Sequence, residues 1–439
     1  MQWWAILLLL FSGMVLLLLT GLPVAFSFLI VNMVAAYFFL GGIPGLIATT
    51  TGIFSSITTF TLLPVPFFIL MGELIFHSGL GLQAINVVDK WLGRLPGRLS
   101  LMAVITGVVF AALSGSTIAN TALLGTVLLP EMRRKGYSKT MSLGPILGVG
   151  GVAMLIPPSA LAVVLASLAR IDVGRLLIAG IVPGVLMGLL YMTYIVAGCL
   201  IRPGLAPAYD VPETPLGERI RSTVKYFLPL GFIVFMVVGV IFRGIATPTE
   251  AAATGTLGAF LLAWAYGKMN REVMKKSIYG TIRLTVMIFM IIVVSNTYSE
   301  ILAFTGAAPS LVEFIVKQQI HPLVIIVSMM IALIILGSFM ETVSIMMITL
   351  PIFMPIVSSL GYDPIWFGVI MLVNLELGLI TPPFGVLLFV MKGVSPPDTT
   401  MSDIWKAALP FVVVDLLGIA ILIAFPHISL YLPNLMGMK

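Results

Sequence analysis

Two oxygen-rich clusters and two proline pairs carry the chemistry open to this chain. Ser114, Ser116, Thr117 and Asn120 lie in "SGSTIAN", and Ser338, Glu341 and Thr342 lie in "GSFMET". Hydroxyl, amide and carboxylate oxygens suit a hard cation such as Na⁺. Pro157-Pro158 and Pro382-Pro383 each interrupt a long apolar stretch. Consecutive prolines withhold two backbone donors, so the carbonyls of Ala153 and Met154, and of Gly378 and Leu379, are expected to lose their helical partners. Lipid cannot satisfy such groups, so each break must line a polar cavity. The leading half-helix then offers a partially negative end to a cation, around Gly151 and Pro157 in one copy and Gly378, Thr381 and Pro382 in the other. The trailing half offers free N–H groups to an anion, at Ser159 and Gly385.

Glu341 and Glu376 sit in apolar surroundings, where an ionised carboxylate is costly unless paired, which makes both functional candidates. Asn374, one turn before Gly378, and Asn120 are candidate substrate contacts, together with Ser159, Glu376 and Gly385. Glu73 and Glu300 stand near span ends and are expected to cap or snorkel there. A lone Ser, Thr or Asn in a membrane helix commonly bonds a neighbouring backbone. The pairing of a polar tip with a proline break, twice, argues for more.

These features return together. Pro130, Gly136 and Tyr137 correspond to Pro355, Gly361 and Tyr362 at an offset of 225, the offset of the proline pairs. "GELIFHSG" from Gly72 corresponds to "SEILAFTG" from Ser299 at 227, as Pro183 does to Pro410. The chain is built from two related halves, and a duplicated helix break is a strong sequence pointer to a transporter's binding site.

The elements that position these residues are membrane helices. Hydrophobic residues make up 60% and charged residues 9% of the chain, and no Asp, Glu, Lys, Arg or His precedes Glu73. Such a composition excludes a water-soluble domain. Apolar runs predict ten crossings, near 3–20, 23–41, 50–76, 140–169, 175–200, 226–243, 249–267, 278–299, 364–393 and 407–426. Between them, Leu101–Leu113 with Ile118–Leu129, and Leu323–Leu336 with Val343–Ile356, form arms of about 12–14 residues, too short to cross upright. They read as re-entrant hairpins with polar tips. Gly81–Leu92 and Pro309–Ile320 mix apolar and charged residues and are expected along the interfaces.

The fold expected is an all-α polytopic membrane protein of two inverted repeats. Residues 1–200 form the first half, with its hairpin at about 99–131, and 226–439 the second, with its hairpin at about 321–357. A Pro-rich, charged linker, 201–225, joins them. This threading places 18 of the 23 basic residues on one face, including Arg94, and leaves Arg170, Arg175, Arg243, Lys317 and Lys439 on the other. The positive-inside rule makes the first face cytoplasmic and both termini extracytoplasmic.

Several chemistries are absent from the pattern. One cysteine, Cys199, excludes an internal disulfide framework, and three scattered histidines lack zinc-ligand spacing. "SGST" is not a serine-nucleophile elbow, and no phosphate-binding Gly-x-x-x-x-Gly-Lys loop occurs, so neither ester hydrolysis nor ATP-driven work is indicated. The net charge of +6 resides in short loops, where it sets orientation rather than binding nucleic acid.

"LLPVPFFILMGELIFHSG" (Leu62–Gly79), "ALSGSTIANTALLG" (Ala112–Gly125), "LLPEMRRKGY" (Leu128–Tyr137), "IPPS" (Ile156–Ser159) and "LVNLELGLITPPFGVLLFV" (Leu372–Val390) together resemble the DctM-type large membrane subunit of tripartite ATP-independent periplasmic (TRAP) transporters, over nearly the whole chain. Glu341 stands where such subunits often carry an acidic residue. The resemblance implies an elevator-type secondary transporter of the ion-transporter superfamily in a bacterial or archaeal inner membrane, driven by Na⁺ and needing no other cofactor. It implies a separate small four-helix membrane subunit (DctQ type), a periplasmic substrate-binding protein (DctP type), and an organic acid such as a C4-dicarboxylate, sialic acid or sugar acid. The alternatives are a stand-alone ion-coupled carboxylate carrier and, more remotely, a membrane enzyme or channel.

Overall fold

The computed structural model describes residues 2–57, 62–93, 95–207, 209 and 214–436. Arg94, Lys439 and, within the expected linker, 208 and 210–213 lie outside the described residues, as does the side chain of Ser114. All regular structure among the described residues is helical.

The offsets of 225 to 227 recur element by element. Trp3–Leu19 and Val24–Phe39 match Leu228–Phe242 and Pro248–Ala265; Ile43–Ile57 with Pro64–His77 match the single helix Arg271–Phe304. Leu80–Trp91 matches Ala307–Lys317. The first hairpin, Arg98–Ser114 and Thr117–Arg134, matches the second, Pro322–Gly337 and Thr342–Ser359. The first broken helix, Lys139–Gly151 and Ala160–Ala169, matches Pro364–Ile380 and Val386–Val394, while the consecutive helices Val173–Ala179 and Ile181–Ile201 match Met401–Ala424. His427–Leu435 has no counterpart.

Local chemistry explains the correspondence. Gly136 and Gly361 end the hairpins with the same φ of +76°, a left-handed conformation that only glycine adopts without cost. Two residues later Ser138 and Asp363 cap the broken helices, accepting from Met141 N at 3.3 Å and Ile365 N at 2.7 Å.

Packing separates two groups of helices. Pro64–His77 lies against Pro248–Ala265 and Arg271–Phe304. The buried face of Pro248–Ala265 is Ala251, Ala252, Gly255, Thr256, Ala259 and Ala263, small residues that let backbones approach. Thr256 Oγ1 donates across this seam to Phe67 O at 2.8 Å. The second group holds the hairpins around the broken helices. Every residue of Pro364–Ile380 from Ile365 onward is buried, as is every one from Met141 to Gly151. The Phe411 ring of Met401–Ala424 fills the notch above Gly144 and Gly148. The second arm of each hairpin packs on the trailing half-helix of the other repeat, Thr117–Arg134 on Val386–Val394 and Thr342–Ser359 on Ala160–Ala169. The halves are interlocked.

Charged residues tie the loop edge of this group. Lys139 Nζ meets Asp403 Oδ2 at 2.7 Å, and Arg133 grips both carboxylate oxygens of Asp398. The Lys139 bond and the Thr400 cap hold the Asp403 carboxyl well below the usual carboxylate range. Nearby, burial pushes the Tyr137 phenol up to about 12.

The structure corrects several sequence expectations. The hairpin arms run 17, 18, 16 and 18 residues rather than about 12–14. Apolar counting stops at charged or polar residues such as Arg98 and Glu131, whereas the backbone hydrogen bonds run on. The expected crossing at 50–76 is two helices, Ile43–Ile57 and Pro64–His77. Part of the linker is helical: Leu216–Ser222 continues through a wide turn, Thr223–Phe227, into Leu228–Phe242. Five described helices are long and apolar enough to cross a bilayer unaided, against ten expected crossings, because many spans are short or broken.

Candidate functional site

Both hairpin tips and both breaks reach one cavity of about 290 Å³. The first tip contributes Gly115 to Ala119, the second Glu341 to Val343, and the breaks Ala160, Leu161, Leu379 and Val386. The facing wall comes from the other group of helices: Glu73, Phe76 and His77 on Pro64–His77, and Leu284, Met287 and Ile288 on Arg271–Phe304.

Each tip is shaped by a helix cap. Gly115 turns the first with φ +59°, and Ser116 caps the following helix by accepting from Ala119 N at 3.3 Å. Glu341 holds the matching position, 225 residues on, and its Oε2 accepts from Ser344 N and Oγ, both at 3.3 Å. Ser116, Thr117, Glu341 and Thr342 therefore converge on the cavity as the spacing predicts. Each hairpin also meets its own half's break. A Cβ on Gly115 would lie 3.0 Å from Pro158 O, and one on Gly337 would lie 2.7 Å from the Gly378 Cα.

Pro157-Pro158 and Pro382-Pro383 are both cis. The first leading half tightens from Gly151 into a 3₁₀ turn, Val152–Met154, and Ser159 starts the trailing half by accepting from Ala162 N at 3.2 Å. The second ends differently. Thr381 donates its hydroxyl to Leu377 O at 2.7 Å and its N–H to Gly378 O at 3.3 Å, so the Gly378 carbonyl, expected to be free, has a partner. Gly385 starts the second trailing half with no side-chain cap.

The remaining candidates stand behind the cavity wall. Asn120 donates to Gly107 O at 3.1 Å and Val149 O at 3.2 Å, joining the first hairpin to its broken helix. Asn374 donates to Met330 O at 3.1 Å and does the same for the second. The Ser338 hydroxyl donates to Ile335 O at 2.7 Å, within its own helix. Ser159 is fully buried. Glu376 packs on Gly151, where a Cβ would lie 2.1 Å from its Cγ, and accepts from Tyr191 OH at 3.2 Å.

Three participants were missed by sequence reasoning. Tyr191 OH also bonds Asp415, linking two buried carboxylates on Pro364–Ile380 and Met401–Ala424. Asp415 lies inside an apolar run and carried the same signal as Glu376. His77 lines the cavity beside Glu73, its Nε2 3.0 Å from Glu73 Oε2. Among the described residues no group of His, Cys, Asp and Glu is arranged to hold a metal.

Comparison with known proteins gives a consistent picture. A family model described as the tripartite ATP-independent periplasmic transporter, DctM component, matches residues 11–428. The C4-dicarboxylate TRAP transporter large permease protein DctM of Pseudomonas aeruginosa is 36% identical over 88% of this chain and 89% of its own length. The sialic acid TRAP transporter large permease protein SiaM of Vibrio cholerae is 29% identical over 95% of this chain and 96% of its own. A solved structure of the Alcanivorax borkumensis YdaH transporter shares the fold with a TM-score of 0.63 at 15% identity, covering 88% of this chain and 90% of that one.

Proposed function

The chain belongs to the DctM family of TRAP transporter large permeases, multi-pass membrane transport proteins rather than enzymes, and we propose that it forms the pathway of a Na⁺-coupled importer of a small organic acid. The observation that carries this reading is the meeting of two tips and two breaks in a single cavity faced by a separate helical group. A volume of about 290 Å³ lies at the small end for ligand sites and favours a compact acid. With the similarity to a C4-dicarboxylate permease, that points to a four-carbon diacid.

One Na⁺ is held by Ser116 and Thr117 with the backbone near Gly151 and Pro157, and another by Glu341 and Thr342 with the backbone near Gly378, Thr381 and Pro382. The substrate lies between them, near the starts of the trailing half-helices. Cations offset the Glu341 charge and the substrate's own. A half-loaded cavity keeps an unpaired charge that opposes movement through lipid. The hairpins and broken helices then slide as one body along Pro64–His77 and Arg271–Phe304, the two halves being inverted repeats. A small four-helix subunit and a periplasmic binding protein complete the system. It sits in the inner membrane with both termini extracytoplasmic, as the basic loops favour.

Reconstituting the chain with its small subunit tests this. Labelled succinate, delivered by the cognate binding protein, should enter proteoliposomes under an inward Na⁺ gradient and not under a K⁺ gradient. Equal uptake under both would reject Na⁺ coupling, and full uptake without the binding protein would favour the stand-alone carrier.

A further inference from the structure

Among the described residues, those lining the cavity include no Lys or Arg; its titratable groups are Glu73 and Glu341, both acidic, and His77. A cavity so lined repels a carboxylate unless something supplies positive charge. Among the described residues that line it, His77 is the one side chain of a type that can carry positive charge. Its Nε2 lies 3.0 Å from Glu73 Oε2, and the two side chains keep 26% and 22% of their surface exposed, so the pair is open to whatever occupies the cavity.

Glu73 also packs against the neighbouring helix Arg271–Phe304. It packs over Gly280, where a Cβ would lie 2.6 Å from its Oε2. The other repeat makes the same joint in reverse: Glu300 lies over Gly52, where a Cβ would stand 3.2 Å from its Oε2. At 227 residues on from His77, however, stands Phe304. The glutamate-over-glycine joint thus forms without an imidazole in one copy, so packing does not require His77.

We propose that His77, positioned by Glu73, is the proton-responsive residue that sets how readily the cavity admits a carboxylate. This rests on the cavity being the transport site. Among the described residues, the other titratable groups that line the cavity with His77 are Glu73 on its own helix and Glu341 on the second hairpin. Arg271–Phe304 faces it with Leu284, Met287 and Ile288, and the first tip brings only hydroxyls and apolar groups. Protonation changes the formal charge of the lining by one unit, within a cavity where a unit charge at several ångströms acts with limited screening.

Charge-selective thiol labelling tests the proposal without substrate or Na⁺. In the assembled transporter with Cys199→Ala, a reporter is placed at the cavity wall by Ile118→Cys, or by Leu161→Cys should the first fail to fold. The rates of an anionic and a cationic methanethiosulfonate reagent are compared; their ratio cancels the thiol's own titration. The anionic-to-cationic ratio should rise roughly tenfold between about pH 8 and about pH 6. His77→Gln should abolish that rise, and Glu73→Gln should raise the ratio at both pH values. A flat ratio in the parent, an unchanged rise in His77→Gln, or no labelling at either reporter would overturn the proposal. Loss of Na⁺-driven uptake with this labelling intact would instead count against the transport reading alone.

Discussion

At the first tip a neutral hydroxyl, Ser116, caps the outgoing helix; at the same register position of the second stands a carboxylate, Glu341. The first hairpin is fastened to its broken helix by Asn120, which spends both amide protons on carbonyls of two helices. Asn374 makes one such bond in the second, and there the backbones of Gly337 and Gly378 meet with no room for a Cβ. The first trailing half-helix is capped by Ser159, while the second begins at Gly385 without a side-chain cap. Duplication therefore supplied one scaffold and two unlike junctions of hairpin tip and helix break. The first is closed by polar side chains, and the second by close backbone contact with a carboxyl group at its tip.

The largest expected difference concerns that carboxyl group. Hydrogen bonds and contacts to an ionised group contribute about 1.5–3 kcal/mol, against about 1 kcal/mol for a neutral oxygen. Glu341→Gln should therefore raise the Na⁺ concentration for half-maximal uptake by roughly 10- to 100-fold, and Ser116→Ala by about fivefold. Titrating Na⁺ in the reconstituted system measures both. Equal shifts would erase the distinction between a charged and a neutral site.

The second contrast is steric. Gly378→Ala forces a methyl group toward Gly337, where the Cβ would lie 2.8 Å from the facing Cα, and backbone cannot yield as a side chain can. Overpacking of this kind costs about 1–3 kcal/mol, so the purified protein should melt several degrees lower. At the first site the comparable lesion is Asn120→Ala, which leaves two buried carbonyls short of a donor. If Gly378→Ala is neutral while Asn120→Ala is not, the close backbone contact contributes nothing to holding the second hairpin.

A smaller effect belongs to the trailing halves. Ser159→Ala removes a buried cap and should cost about 1 kcal/mol. Gly385→Ser adds a cap in sequence terms but places a Cβ 2.3 Å from Leu379 O, so it should not stabilise. Thermal melts of the two variants side by side would show whether the second break is uncapped because no side chain fits there.

The parts of this architecture visible in the sequence are those encoded by local punctuation. Proline pairs mark the breaks, Gly136 and Gly361 the ends of the hairpins, and Ser138 and Asp363 the next helix starts, because each acts through its own backbone or that of a near neighbour. Ser116 and Glu341 at the tips were legible for the same reason, since each caps the helix that follows it. What the sequence hid depends on neighbours far along the chain. Asn120 and Asn374 look like ligands until the carbonyls they bond are seen, and Tyr191 lies 224 residues from the Asp415 it joins. His77 was set aside as a scattered histidine, since nothing in its own segment shows that two hairpin tips face it. The arm lengths were misjudged because hydropathy reports where lipid contact ends, and hydrogen bonding decides where a helix ends.

The smallest expected effect concerns how the two broken helices begin. The second starts from the Asp363 cap alone, whereas the first has the Ser138 cap and, at its first residue, the Lys139 ion pair to Asp403. The Lys139 bond and the Thr400 cap lower the Asp403 pKa in the folded protein. A carboxylate with a depressed folded pKa contributes stability that is fully present above its unfolded value, about 3.9, and is lost as pH falls toward the folded one. Asp403→Asn should therefore melt slightly below the parent at neutral pH, and the gap should narrow progressively below about pH 4. Because both partners are solvent-accessible, salt should shrink it too. A gap that persists unchanged in acid would mean that Asp403 acts only through its neutral contacts. The first broken helix would then be anchored, like the second, by its cap alone.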